Sequence, residues 1–367
     1  MKKEQYLLCR KIMKDFIKKE YWTVFSSADI FYVSEGKNKV LFTFVEQFFE
    51  DSFGCQLFFN YKGLNYVHDV LTAESPDVVT IYDCDSICAI FVDKCNLKEE
   101  EIKFLKDNKI KIMQEKNLFF YRFEQGYKQR LCNDKEIKIY LTYLELISSI
   151  ISNEYNDIIE AFENTYATVI IMDKQNFEYS IIYRPLPYLE TIPRAMKANV
   201  EFADEFKNGT YINDDCYFFT SYVPVVVKET NIRPLIIYCY FPKLNRHYFK
   251  YLINEPKEYK NLLFGILYDV FTEIGVPVKM IFNNRDIYSL LRKTLDLLNI
   301  DNVFLREDYK TDSNVNDFLT KIYQSNQDEL VEREDLIKLL LDTTTNTLNE
   351  LANYDDKENE EEEEFVS

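Results

Sequence analysis

The chain has 367 residues, 47% of them hydrophobic and 16% aromatic, and a formal net charge of −18. That length exceeds one ordinary core and implies two domains or one domain with a large elaboration, the apolar content excludes a wholly disordered chain, and the acidic field disfavours nucleic acids and anionic membranes, whose binding relies on Lys and Arg displacing counterions. Only seven glycines are present and neither G-x-G-x-x-G nor G-x-x-x-x-G-K-[ST] occurs; the close backbone approach to phosphates that those motifs give is missing, and no cofactor is expected.

Residues 4 to 20 place Leu7, Leu8, Ile12, Phe16 and Ile17 along one predicted helical stripe. This opening stretch lacks the uninterrupted apolar core of a signal peptide, and no run approaches the roughly 18–20 apolar residues that span a bilayer. Strand-like runs follow at "TVFSSADIFYV", "KVLFTFVEQFF" and "CQLFFNYKG", then a predicted short helix from Leu64 to Leu71. "VVTIYDCDSICAIFVDK" reads as one or two buried strands and "NLKEEEIKFLKDN" as a helix capped by Asn96 with Glu99 at its third position. "KNLFFYRFEQGY" is a further strand, and residues 134 to 163 form the longest helical pattern of the first half, carrying Ile137, Leu141, Leu144, Ile147, Ile151 and Ile158.

The domain boundary is expected near Thr165, giving an N-terminal α+β domain over 1–165 and a C-terminal α/β domain over 166–328. "YATVIIMDKQNFEYSIIYRPL" reads as a hairpin turning at Lys174-Gln175-Asn176, and strands resume at "CYFFTSYVPVVV" and "RPLIIYCYF". A helix from Lys257 to Ile274 precedes "VKMIFNNRDIYSLLRKTLDLLNIDNVFLRE", a β-α-β unit in which Ile287, Leu290, Leu291, Leu295 and Leu298 share one helix face, so that its two strands are parallel. A strand, a helix of about three turns and a strand recur at 86–120 and 278–305, a likeness of architecture without a shared residue pattern. A last helix is expected over 329–353. The fourteen residues from Tyr354 to Ser367 carry eight acids and one lysine, −7 of the total charge, and read as a disordered acidic tail. The fold class expected is α/β or α+β, with mixed sheets and packed helices.

Eight cysteines occur without a C-x-x-C pair, the closest being Cys84, Cys88 and Cys95, and most lie beside apolar residues. They read as free thiols in a reducing cytoplasm.

Four stretches resemble a group of bacterial proteins of unknown function in which an N-terminal and a distinct C-terminal domain occur together. They are Trp22 and Asp29-Ile30-Phe31 followed by "FFEDSFGCQLFFNYKGLNYVHDVL"; "DCDSICAIFVDKCNLKEEEIKFLKDNKIKI" leading to "FFYRFEQGY"; the helix after it; and "GVPVKMIFNNRDIYSLLRKTLDLLNIDNVFL". The resemblance implies a two-domain arrangement and carries over no activity and no catalytic residue.

Candidate sites each have a bland explanation beside the functional one. Asn283, Asn284, Arg285 and Asp286 crowd the first turn of the β-α-β unit, where ligands collect in open α/β sheets. Yet Asn283 there can accept from a helix-start amide, and the charge of Asp286 suits the positive end of the helix dipole. Arg285 is the group best suited to hold an anion. Asp83 and Asp85 could share a divalent cation, but no third ligand is evident and no metal is expected. His68 is the candidate for a catalytic triad assembled from distant sequence, although "NYVHDVL" places it on an ordinary amphipathic helix. The reading favoured by these residues is a noncatalytic binding or regulatory protein recognising a protein or small ligand. The alternative is a hydrolase whose acids converge around Asp83, Asp85 and Arg285.

Overall fold

The computed structural model describes residues 3–26, 29–35, 38–46, 53–59, 63, 84–164, 167–173, 178–184, 195–223, 225–304, 330–338, 340–342 and 345. The chain divides into two compact units, one of Met1–Gln125 with Gln129–Thr191 and one of Gly126–Lys128 with Ile192–Ser367. Both mix helices with mixed sheets, as expected from the sequence.

The first unit opens with α1 (Lys3–Lys18), which buries Tyr6, Cys9, Met13 and Phe16. The buried stripe is rotated from the expected one: Leu7 and Leu8 are 46% and 38% exposed. Tyr, Cys and Met at spacings of three and four complete a row that a reading of the strongest apolar residues passes over. The short α2 (Tyr21–Val24) leads into β1 (Ile30–Glu35), β2 (Asn38–Glu46) and β3 (Phe53–Phe59), a meander of antiparallel neighbours. The helix expected from Leu64 to Leu71 and the residues Asp83 and His68 lie outside the described residues.

β4 (Ser86–Val92), buried along its whole length, continues the sheet antiparallel to β3. Next comes α3 (Glu99–Asp107), whose cap is Lys98 rather than Asn96: Asn96 is drawn into a 3-10 turn over Lys94–Asn96. Lysine has no side-chain acceptor, so only the return half of a capping box forms, with Glu101 accepting from the Lys98 amide at 2.7 Å. β5 (Asn117–Phe123) and β6 (Arg130–Leu131) follow, each antiparallel to its predecessor in the sheet. Then α4 (Asp134–Glu163) runs for 30 residues, bent where Glu154 leaves helical geometry. Its N-terminus is fixed by a full capping box: the Asn133 side chain accepts from the amides of Lys135 and Glu136, and Glu136 accepts from the Asn133 amide.

The chain next forms β7 (Ala167–Asp173) and β8 (Glu178–Arg184), an antiparallel pair as expected, although the turn at Lys174-Gln175-Asn176 lies outside the described residues. β7 lies parallel to β1, which completes an eight-stranded sheet in the order β6-β5-β4-β3-β2-β1-β7-β8. This pair therefore belongs to the first unit, which runs on to Thr191, past the boundary expected near Thr165. The pairing that decides this joins strands more than a hundred residues apart and has no local signature.

Two faces of the sheet are packed by helices. On one, the Tyr6 hydroxyl accepts from the Leu118 amide at 3.2 Å, the Tyr140 hydroxyl donates to the Cys55 carbonyl at 3.0 Å, and Phe16 meets Phe44 at 5.6 Å. On the other, Phe104 of α3 meets Phe119 at 6.2 Å and the Tyr121 hydroxyl donates to the buried Glu101 carboxylate. Burial is the largest cause holding the Tyr121 phenol above its ordinary value, and Glu101 adds to it.

The second unit contributes α5 (Val200–Phe206), β9 (Tyr211–Tyr222), β10 (Val226–Val227), β11 (Leu235–Phe241), β12 (Arg246–Leu252), α6 (Tyr259–Glu273), β13 (Val276–Phe282), α7 (Arg285–Leu297), β14 (Asp301–Phe304) and β15 (Leu330–Val331). Five of these strands form a sheet in the order β12-β11-β9-β13-β14. β13 lies parallel to both β9 and β14, while β11 and β12 are antiparallel. The expected parallel β-α-β unit is thus present. Its likeness to the β4-α3-β5 stretch stops at architecture, because β4 and β5 are antiparallel. α6 and α7 pack on the same face: Tyr222 meets Tyr259 of α6 at 6.4 Å, and Phe282, whose strand neighbour is Phe218, meets Tyr288 of α7 at 5.8 Å.

β10 and β15 make a separate parallel pair. β15 occupies residues expected to start the last helix, and helical geometry begins at residue 333. Leu336 and Leu340 are buried there, whereas Ile337 and Leu341 are exposed. The acidic tail lies outside the described residues. Gly126, at φ 74°, sits where an added Cβ would approach Tyr222 Cε1 to 2.6 Å and Pro256 Cγ to 2.8 Å, so only glycine fits both the left-handed backbone and the space.

Candidate functional site

The polar turn between β13 and α7 is built from the residues upward as follows. Phe282 ends β13 beside Phe218 of β9, its ring 5.6 Å away. Asn283 then stands in for one more strand residue: its side-chain oxygen accepts from the Thr220 amide at 2.9 Å and its nitrogen donates to the Thr220 carbonyl at 3.1 Å. Asn284 is the helix cap, accepting from the amides of Asp286 and Ile287 at 3.0 and 3.2 Å. The expectation that Asn283 caps α7 is therefore off by one residue, because the tie to Thr220 claims its side chain. Asp286 takes the second helical position, where its charge suits the dipole.

Arg285 leaves the turn over the ring of Phe304, its guanidinium carbon 5.0 Å from the centroid. Tyr288, one turn on, lies 6.1 Å from Phe304 and carries Arg292 at 5.6 Å. Two guanidinium groups and three aromatic rings thus gather at the carboxyl ends of the parallel strands β13 and β14. Thr220 is 4% exposed, and its hydroxyl has no hydrogen-bond partner among the described residues. Strand alternation puts it on the helix-bearing face with Phe218 and Tyr222, beside the Asn283 tie. This hydroxyl was not found from sequence; a threonine inside "CYFFTSYV" gives no sign that its partner is missing.

Asp85 belongs to the first unit and is committed to an ion-pair network. It pairs with Arg122, whose Nη1 also donates to the carbonyls of Ser86 and Phe123 at 2.9 and 2.7 Å. Arg122 Nε lies 3.5 Å from Glu136, and Arg130 bridges Glu136 and Glu124 at 2.6 and 2.7 Å. Burial works to raise the Glu136 carboxyl, but hydrogen bonds from Arg130 and the Asn133 amide, with the charges of both arginines, hold it below its ordinary value. Among the described residues there is no group of three His, Cys, Asp or Glu side chains placed to hold a metal ion. All eight cysteines are free, seven of them buried, and burial pushes Cys9 up to about 12, the signature of packing thiols and not of nucleophiles.

Residues 8–171 match the model of a family described as "Domain of unknown function (DUF7309)". The match runs from α1 into β7, in keeping with the place of β7 in the first sheet. It bears out a domain of unknown function over that part of the chain and no more of the resemblance. No curated protein and no solved structure matches the chain. No helix among the described residues is long and apolar enough to cross a membrane.

Proposed function

We propose that the chain is a noncatalytic binding or regulatory protein whose second unit holds a small ligand at the carboxyl ends of β9, β13 and β14. The observation that carries this reading is the buried Thr220 hydroxyl without a partner among the described residues, since native structures rarely leave such a group unpaired. It lies where ligands of α/β sheets collect, near the guanidinium groups of Arg285 over Phe304 and Arg292 over Tyr288. The side-chain amides of Asn283 and Asn284 are spent on the Thr220 tie and on the cap, and Asp85 is spent on Arg122, which favours binding over acid–base chemistry. Eight free thiols support a cytoplasmic location.

The test is a thermal-shift screen of small metabolites against the full chain, repeated on Thr220→Val and Arg285→Ala. Compounds that stabilise the unsubstituted chain are expected to lose their effect in both variants. Hits that persist in both, or turnover of a p-nitrophenyl ester or phosphate that disappears in folded Asp85→Asn, would overturn the reading, the latter in favour of a hydrolase.

A further inference from the structure

α1 turns a row of polar side chains gradually out of the first unit's core. Tyr6, Arg10 and Lys14 are spaced by four along one helix, so they follow one another on its surface. Tyr6 is buried, Arg10 half-buried and Lys14 exposed. The Tyr6 hydroxyl accepts from the Leu118 amide, which brings this row against the start of β5. Lys116, exposed and two residues ahead of Leu118, stands at the same place.

Arg10 carries the decisive feature. Its Nε and Nη2 are shut off from solvent and find no acceptor among the described residues. These two nitrogens form one edge of the guanidinium fork, the edge that grips two oxygens of a planar or tetrahedral anion side by side. Burial and the neighbouring charges of Arg10 and Lys116 lower the Lys14 ammonium below its ordinary value, an independent sign that three cations share this corner. One acid borders this corner: a carboxylate oxygen of Asp93 accepts from the Lys116 backbone amide at 2.9 Å.

We infer that Arg10, Lys14 and Lys116 form a binding site for a phosphoryl group, on a free phosphate or a phosphate monoester. A carboxylate has two oxygens and one charge, which the Arg10 edge alone would satisfy. A phosphoryl group carries up to two charges and a third oxygen, which engages the two ammonium groups at the mouth. The site lies in the first unit and does not depend on the ligand proposed for the second.

The experiment titrates the full chain with inorganic phosphate, at ionic strength held constant with chloride, and reads the thermal unfolding midpoint and calorimetric heat. Saturable stabilisation by phosphate, absent with acetate, is the expected result. Lys14→Gln with Lys116→Gln, both exposed and therefore safe for folding, is expected to weaken phosphate affinity at least tenfold, and Arg10→Lys to weaken it further by removing the paired edge. Lys103→Gln with Lys106→Gln on α3, which removes the same charge elsewhere, is expected to leave the affinity unchanged. No saturable response in the unsubstituted chain, or an equal response in the Lys14 and Lys116 variant, would overturn the assignment. A glucose 6-phosphate arm separates the sources: binding equal to that of inorganic phosphate marks an open monoester site, and weaker binding marks a site for the free ion.

Discussion

Glu136 is the residue on which two roles converge. It closes the capping box of α4 through the Asn133 amide and completes the Arg122–Arg130 network. Its carboxyl is held below the ordinary value of 4.5, so the folded state favours the charged form. The stability this supplies is complete above that value and is lost as the pH falls through the lower, folded one. Glu136→Gln keeps the shape and removes the charge. Urea midpoints measured across the acid range should show a flatter fall below about pH 4.5 for the variant than for the unsubstituted chain. Parallel curves would mean that the network is electrostatically idle.

Among the elements, the entry to α7 separates capping from strand extension. Asn284→Ala removes a cap and should cost about 1 kcal/mol. Asn283→Ala strips both hydrogen bonds from the backbone of the buried Thr220 and should cost more, about 1–3 kcal/mol. Urea unfolding of the two variants checks the order, and the reverse order would return the cap to Asn283. The adjacent asparagines explain why sequence alone misplaced the cap: the choice is made by Thr220, 63 positions away. Where local chemistry is sufficient, the reading was accurate, as at α4, whose apolar period alone marks residues 134 to 163. β12 escaped notice for the opposite reason. It lies at the outer edge of its sheet, its residues are mostly half-exposed, and Arg246, His247 and Lys250 interrupt any apolar run.

For the whole molecule, charge is the property most open to test. Removing Tyr354–Ser367 deletes eight acids and one lysine and leaves a net charge of −11. Self-repulsion of the acidic body then falls, so the thermal midpoint should rise in low salt and the gain should vanish in high salt, where charges are screened. A gain independent of salt would point to a cause other than repulsion. The broad class and most strands were legible in the sequence, whereas the division of the chain was not. β7 and β8 look like the start of a second domain because they follow a long helix, and only their registry with β1 assigns them to the first.

The same sheet has unequal margins. Among the described residues, β6 offers two residues at one side, and β8 offers seven at the other, without proline, lysine or bulge, and with Tyr179 and Ile182 exposed. Such a border invites a further strand. A neighbouring copy that added there would meet only the two residues of β6 at the far side of the described sheet, so growth along this route would stop at a pair and not continue into a fibre.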